Sequence, residues 1–437
     1  MSDRVLSSAR VVIDGEPRPA TLVIESGVIT AVEEGRRGED LGDLVVMPGL
    51  VDSHVHVNEP GRTEWEGFTT ATRAAAAGGV TTIVDMPLNS VPATTTVAAL
   101  EEKRGAAAGK VHVDVAFWGG IVPGNGGELE GLRSHGVCGF KAFLVDSGVP
   151  EFPAVTLEEL EVAARVIGPD GVVVVHAELP LAAEAAVAPE GAGYAAYLAS
   201  RPDEDEVRAV GAVIDVARRT GTPMHIVHLS AAGALPLLAD ARASGIRVSA
   251  ETCPHYLAFC DDDASAGGTE FKCAPPIRGD HNREALWAGL ASGVIDMVVS
   301  DHSPAPPDVK DPAGGDFASA WGGIASLELA LAVTWSGALA RGFSLGTLPR
   351  WLCAGPARLC GLTDRGTIVP GARADLVVWE PEAEFTVDPG RMEQRHRVTP
   401  YAGRRLRGIV RQTILGGEVV YDDGIVGPCL GRLVARP

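Results

Sequence analysis

The chain has 437 residues, 46% of them hydrophobic, and carries 57 Asp and Glu against 37 Lys and Arg, a net charge of −20. That length and apolar content suit one large cored α/β domain with a smaller companion, and exclude a disordered chain. The negative charge repels phosphate backbones and anionic lipid, so neither nucleic acid nor a membrane surface is an expected partner; the one compact basic group, Arg404, Arg405 and Arg407, reads as a solvated cluster.

Residues 5–47 show short alternating runs such as ARVVIDGE and ATLVIESGVITAVEEG, separated by turn glycines, which predict small antiparallel strands. The end of the chain repeats the style in GTIVPGARADLVVWEP and IVRQTILGGEVVYDDG, so both ends are expected in one β-sandwich, residues 1–47 as its first part and 366–437 as its second. Between them, residues 48–365 change texture to apolar strands alternating with alanine-rich helical stretches, the pattern of βαβ units. Candidate strands are 44–51, 81–85, 112–117, 139–143, 172–176, 224–228, 247–251 and 297–300, and eight such units close a (β/α)8 TIM-like barrel, with an open doubly wound sheet as the alternative. Helical periodicity is clearest over 206–220, 231–244 and 283–292. Residues 322–340 are the most membrane-like stretch, but Glu328 and the glycine, alanine and serine content suit a packed helix.

Several predicted strands end in groups able to bind metal. His54 and His56 sit two apart at a strand end, so the alternation of a strand aims both imidazoles the same way. Lys141 lies inside the apolar run GFKAF; a buried ammonium is costly, and burial lowers its pKa toward the neutral amine that can add CO2 to become a carbamate bridging two cations. A lysine salt-bridged at the barrel mouth is the plainer reading. His176 ends one apolar run and His228 another; His225, three residues earlier on the opposite face, reads as structural. Asp301 follows the last strand, where a buried carboxylate needs a metal or a base partner. Together these six fit a bridged site for two divalent ions, zinc foremost, with cobalt or manganese accepted by the same donors. Glu59 and Arg62 are expected to pair and shape the first loop, while Trp65 and Trp321 are candidates for a substrate-enclosing loop.

The seven cysteines are odd in number and scattered, without a CxxC pair, which argues for reduced thiols in a cytoplasmic protein, and the N-terminus shows no basic stretch followed by an apolar leader.

The stretches PGLVDSHVHVNEPGRTEWEGF, MPLNSVPATTT, GFKAF, HAE, ETCPHYL, KCAPPIR, SDHSPAPP, AWGGIASLE and HRVTPYAGR carry a resemblance over nearly the whole chain to the amidohydrolase superfamily, within it to the cyclic amidohydrolases, and most specifically to the allantoinase family. The resemblance implies metal ligands at His54, His56, carboxylated Lys141, His176, His228 and Asp301. It also implies Asp301 as base and then acid in opening the hydantoin ring of allantoin to allantoate, and a homotetramer. Asn89, His255 and Ser303 follow predicted strands and are candidate substrate contacts. Dihydroorotases typically place an arginine where this chain has Asn58, and hydantoinases and dihydropyrimidinases a tyrosine where it has Asp146, so both neighbouring activities lose a substrate-handling group. A scaffold homologue that has lost catalysis is the non-enzymatic alternative, and all six ligand positions being filled speaks against it.

Overall fold

A computed structural model of the chain describes residues 3–181, 188–189, 191, 193–310 and 315–436. The terminal strands follow from their turns. Arg4–Ile13 doubles back into Glu16–Glu25 through Asp14 and Gly15, both at positive φ (52° and 79°), the two-residue turn whose twist matches paired strands and which Asp-Gly adopts at least cost. Ser26 and Gly27 make the same turn into Val28–Glu34. On its other edge Arg4–Ile13 runs parallel to Val45–Pro48, which pairs antiparallel with Leu376–Thr386 and so with Arg405–Leu415, Glu418–Asp422 and Ile425–Val426. Both chain ends therefore share one sheet, nine strands among the described residues. Leu6, Leu22, Ile24 and Ile29 from its first half meet Leu376, Val378 and Ile414 from its second in one apolar cluster. The expected sandwich is thus a single hydrogen-bonded sheet curled around its own core.

One predicted strand divides. The run 44–51 is continuous in hydropathy, yet Val45–Pro48 belongs to the terminal sheet and Leu50–Val55 to the barrel. The break falls at Pro48, which has no N–H for a ladder, and at Gly49, where a Cβ would collide with the Thr81 side chain. Residues 431–434 also leave the terminal sheet and lie along the third barrel strand, with Val115 N donating to Arg432 O (2.9 Å) and Val434 N to Val115 O (2.8 Å).

The barrel strands are Leu50–Val55, Val80–Asp85, Asp114–Phe117 with its continuation Gly119–Gly120, Phe140–Phe143, Val173–His176, Met224–Ile226, Val248–Thr252 and Met297–Val298, each parallel to the next. The ring closes where Val55 bridges His302 and His56 N donates to His302 O at 2.8 Å. Strands packed on both sides need no polar face, and Val173, Val174 and Val175 are all fully buried. The helix Asp203–Thr220 shows the sequence logic of the outer layer: four acids in its first turn, Arg218 and Arg219 in its last, and Gly221 as a left-handed cap at φ 73°. The stretch expected as helix 231–244 is a 3-10 turn, Ala232–Ala234, followed by Leu235–Ala243, and 283–292 is the later part of Asp280–Ser292. Residues 322–340 are helical only from Leu327 onward; no described helix is long and apolar enough to cross a membrane. The basic trio is neutralised locally, Arg404 by Asp263 (2.6 Å) and Arg405 and Arg407 by Glu384 (2.7 and 2.8 Å).

Candidate metal centre

The C-terminal ends of the barrel strands open on a cavity of about 820 Å3, where loops of a barrel build active sites. Its lining includes His54, His56, Lys141, His176, His228 and Asp301, the six predicted ligands, together with Asn89 and Ser303. His54 Nε2 and His56 Nε2 lie 3.1 and 3.4 Å from Asp301 Oδ1, and the donor atoms of these three fall within 4.8 Å of one another. The rings of His54 and His228 are 5.4 Å apart and those of His176 and His228 4.5 Å. Lys141 Nζ sits 4.9 Å from the Phe143 ring, which stacks on His176 at 4.6 Å.

Charge and burial favour cation binding here. Burial, aided by neighbouring Lys141, holds His54 and His228 well below the usual histidine range, and burial lowers His176 as well, so all three present the neutral imidazole that coordinates metal. Burial brings Lys141 down to about 8 despite nearby Asp301 and Glu251. Among the described residues, Lys141 Nζ, His56 Nδ1 and His228 Nδ1 are buried side-chain atoms without a hydrogen-bond partner, a costly state in an apolar core and the one an ion and a carbamate would relieve. The donor set of imidazole and carboxylate fits a divalent transition metal.

A second layer orients these groups. Glu251 accepts from His54 Nδ1 (2.6 Å) and from His225 Nε2 (3.0 Å), and His225 Nδ1 accepts from Ser249 Oγ (2.7 Å). With its Nδ1 proton held by Glu251, His54 turns the lone pair of Nε2 toward Asp301. Glu178 accepts from His176 Nε2 and Arg201 Nη1, both at 2.6 Å; burial would raise its pKa, but these partners pull it down to about 2. Asp52 accepts from His54 N and Ser300 N, tying the strand that carries the histidine pair to the one that leads to Asp301.

Three expectations need correction or refinement. Glu59 and Arg62 do not pair: Glu59 accepts from Lys110 Nζ and from Phe68 N (3.0 Å), and Arg62 pairs with Glu151 while donating to the Asn89 carbonyl (2.9 Å). His255 is fully buried and does not line the cavity; it lies behind Asp301, in a second group with Cys253 whose donor atoms fall within 4.8 Å. Of the two tryptophans only Trp321 lines the cavity, with Trp65 packed edge-on against it at 4.8 Å.

The model of the amidohydrolase family matches residues 45–420. The chain belongs to the amidohydrolase family. It is 50% identical to an allantoinase of Streptomyces avermitilis over 99% of this chain and 98% of that protein, and 44% identical to the allantoinase of Saccharomyces cerevisiae over 97% and 96%. Among solved structures it resembles an L-hydantoinase (dihydropyrimidinase) of Arthrobacter aurescens, with a TM-score of 0.94 and 31% identity over the full length of both chains. Glu251, Glu178 and Arg201, which hold His54 and His176 in place, are the residues around the cavity that reading the sequence passed over. The available signal was a carboxylate inside the apolar strand run VSAET and another two residues after His176. Asp146 lines the cavity, whereas Asn58 is buried off it, with Nδ2 3.4 Å from Pro304 O.

Proposed function

We propose that this protein hydrolyses the cyclic amide of allantoin to allantoate, a step of purine and ureide breakdown. In this reading two divalent cations, zinc or alternatively cobalt or manganese, are held by His54, His56, a carboxylated Lys141, His176, His228 and Asp301. The observation that carries it is the buried, unpartnered Lys141 amine in the same cavity as four imidazoles and Asp301, in a chain half identical to an allantoinase over its whole length. The cations supply Lewis acidity toward water and the amide carbonyl.

The chain's own residues supply the rest. Asp301 takes a proton from the attacking water as its oxygen bonds to the ring carbonyl carbon, and returns that proton to the ring nitrogen as the C–N bond breaks. Glu251, Glu178 and Asp52 fix His54, His176 and the Ser300 backbone, so these groups need no rearrangement during reaction. Asn89 and Ser303, on the cavity wall, are positioned to hold the ring or its ureido arm, while His255, its ring nitrogens without hydrogen-bond partners, lies within 4.8 Å of Asp301.

Hydantoin hydrolysis is the second reading, favoured by the close likeness of shape to the L-hydantoinase and disfavoured by Asp146 standing on the cavity wall where hydantoinases typically have tyrosine. Ring opening of allantoin, hydantoin, dihydrouracil and dihydroorotate by the purified metal-loaded protein decides between them: allantoin is expected to turn over fastest, and a higher kcat/KM for any of the others overturns the proposal. The same reading takes the protein as a cytoplasmic homotetramer, which light scattering on the purified protein tests.

A further inference from the structure

The opposite end of the barrel holds a second cavity, of about 510 Å3, where the chain enters strands five to eight near Val172, Pro223, Ser249 and Met297. Its wall carries Arg247, Arg350, Arg358 and Arg436 against two carboxylates, Asp170 and Asp296, a local reversal of sign in a chain of net charge −20. One of those carboxylates is already committed, since Asp296 accepts from Arg242 Nη2 at 2.5 Å and from Ala250 N at 2.9 Å.

The partners of the four arginines set them apart from others in the molecule. Arg278, Arg365, Arg373 and Arg411 all face carboxylates. Around this cavity the acceptors are main-chain carbonyls instead. Arg247 donates to Pro169 O (2.8 Å) and Gly221 O, Arg436 to Cys138 O (2.8 Å) and Asp170 O (2.9 Å), and Arg350 to Leu290 O (2.8 Å). A carbonyl fixes a guanidinium in place without cancelling its charge, and each of these side chains keeps N–H groups to spare. The Arg358 guanidinium has no hydrogen-bond or ion-pair partner among the described residues.

We infer that this cavity is a binding site for a small oxyanion carrying at least two negative charges, a phosphate or a dicarboxylate. Guanidinium forks match the paired oxygens of such ions, three of the four are already held in position, and the volume falls in the range of small-ligand pockets, roughly 300–1,000 Å3.

The test is calorimetric titration of the full-length, metal-loaded protein with inorganic phosphate and, in parallel, with succinate, at ionic strength held constant with sodium chloride. At least one of the two is expected to bind saturably at one per chain, and whichever binds more tightly assigns the tetrahedral or the dicarboxylate chemistry. Arg358→Gln should weaken that binding at least tenfold and leave ring-opening activity without anion unchanged. Arg247→Gln combined with Arg358→Gln should abolish it. Because Arg358 holds no other residue, its variant keeps the test decisive even if loss of the Arg247 contacts to residues 169 and 221 impairs folding. Absence of saturable binding by either ion overturns the inference. So does binding of wild-type strength in Arg358→Gln, which would place the ion elsewhere, for instance at the metal centre.

Discussion

Among the described residues, six other than glycine hold a positive φ, and they divide evenly between two regions. Asp14, Ser26 and Asp423 stand in the turns of the terminal sheet, each followed by a glycine at positive φ; they are the small polar residues that tolerate this conformation, used where a hairpin requires it. Asn89, His228 and Asp301, at φ 74°, 39° and 46°, all line the metal cavity, and no glycine follows any of them. The same backbone conformation is local turn chemistry in one region and is imposed by the surrounding barrel in the other, where it coincides with buried polar atoms that lack partners. Strain gathered with unsatisfied polarity marks the region shaped for a ligand rather than for stability.

That contrast can be broken from either side. The largest expected effect is at Asp301: Asp301→Asn keeps a residue tolerant of positive φ but removes the proton carrier, and should lower kcat by about 10^2 to 10^4-fold with the melting temperature unchanged or raised. A variant of near wild-type rate would show that Asp301 moves no proton. Next is Glu251→Gln, which weakens the hold on the His54 tautomer. Metal affinity is expected to drop roughly 10 to 100-fold, with much of the activity recovered at saturating metal; unchanged affinity in a metal titration would make Glu251 a packing residue.

On the other side of the comparison, Gly15→Val puts a branched side chain at φ 79° in the first hairpin, which contributes no residue to the cavity wall. It should cost about 1 to 2 kcal/mol, read as a lower melting temperature, while kcat/KM stays at the wild-type value. The smallest effect is at Asn89. Asn89→Gly relieves the backbone at φ 74° and should stabilise the fold by up to about 1 kcal/mol, while raising KM more than it lowers kcat if the amide holds substrate. A stabilised protein with unaltered KM would move Asn89 from substrate contact to turn former.

Much of this division was legible in the chain itself, and the rest was hidden for identifiable reasons. The period-2 spacing of His54 and His56 and the lone charge in Gly139-Phe140-Lys141-Ala142-Phe143 announce themselves because both are local anomalies on an apolar strand. The boundary at Pro48 and Gly49 is masked because residues on both sides are equally apolar, and hydropathy cannot register a change of sheet. Glu59 and Arg62 are close in sequence, yet their partners, Lys110 and Glu151, come from distant loops. Glu251, on the seventh barrel strand, reaches past the eighth to His54 on the first, 197 residues away, a contact created only by ring closure. Local pattern thus marked the groups that the structure gathers in one cavity, and long-range topology determined which groups hold them.

The central claim is that a buried lysine amine, left without a protein partner, becomes a carbamate that joins two cations. Its most direct test is native mass spectrometry with metal analysis of the wild-type protein and Lys141→Ala, side by side. The expected result is two divalent ions per wild-type chain and the added mass of one CO2 on the peptide bearing Lys141, with both ions and allantoin ring opening lost in the variant. A wild-type protein without the adduct, or a Lys141→Ala protein that keeps both ions and its turnover, would contradict it.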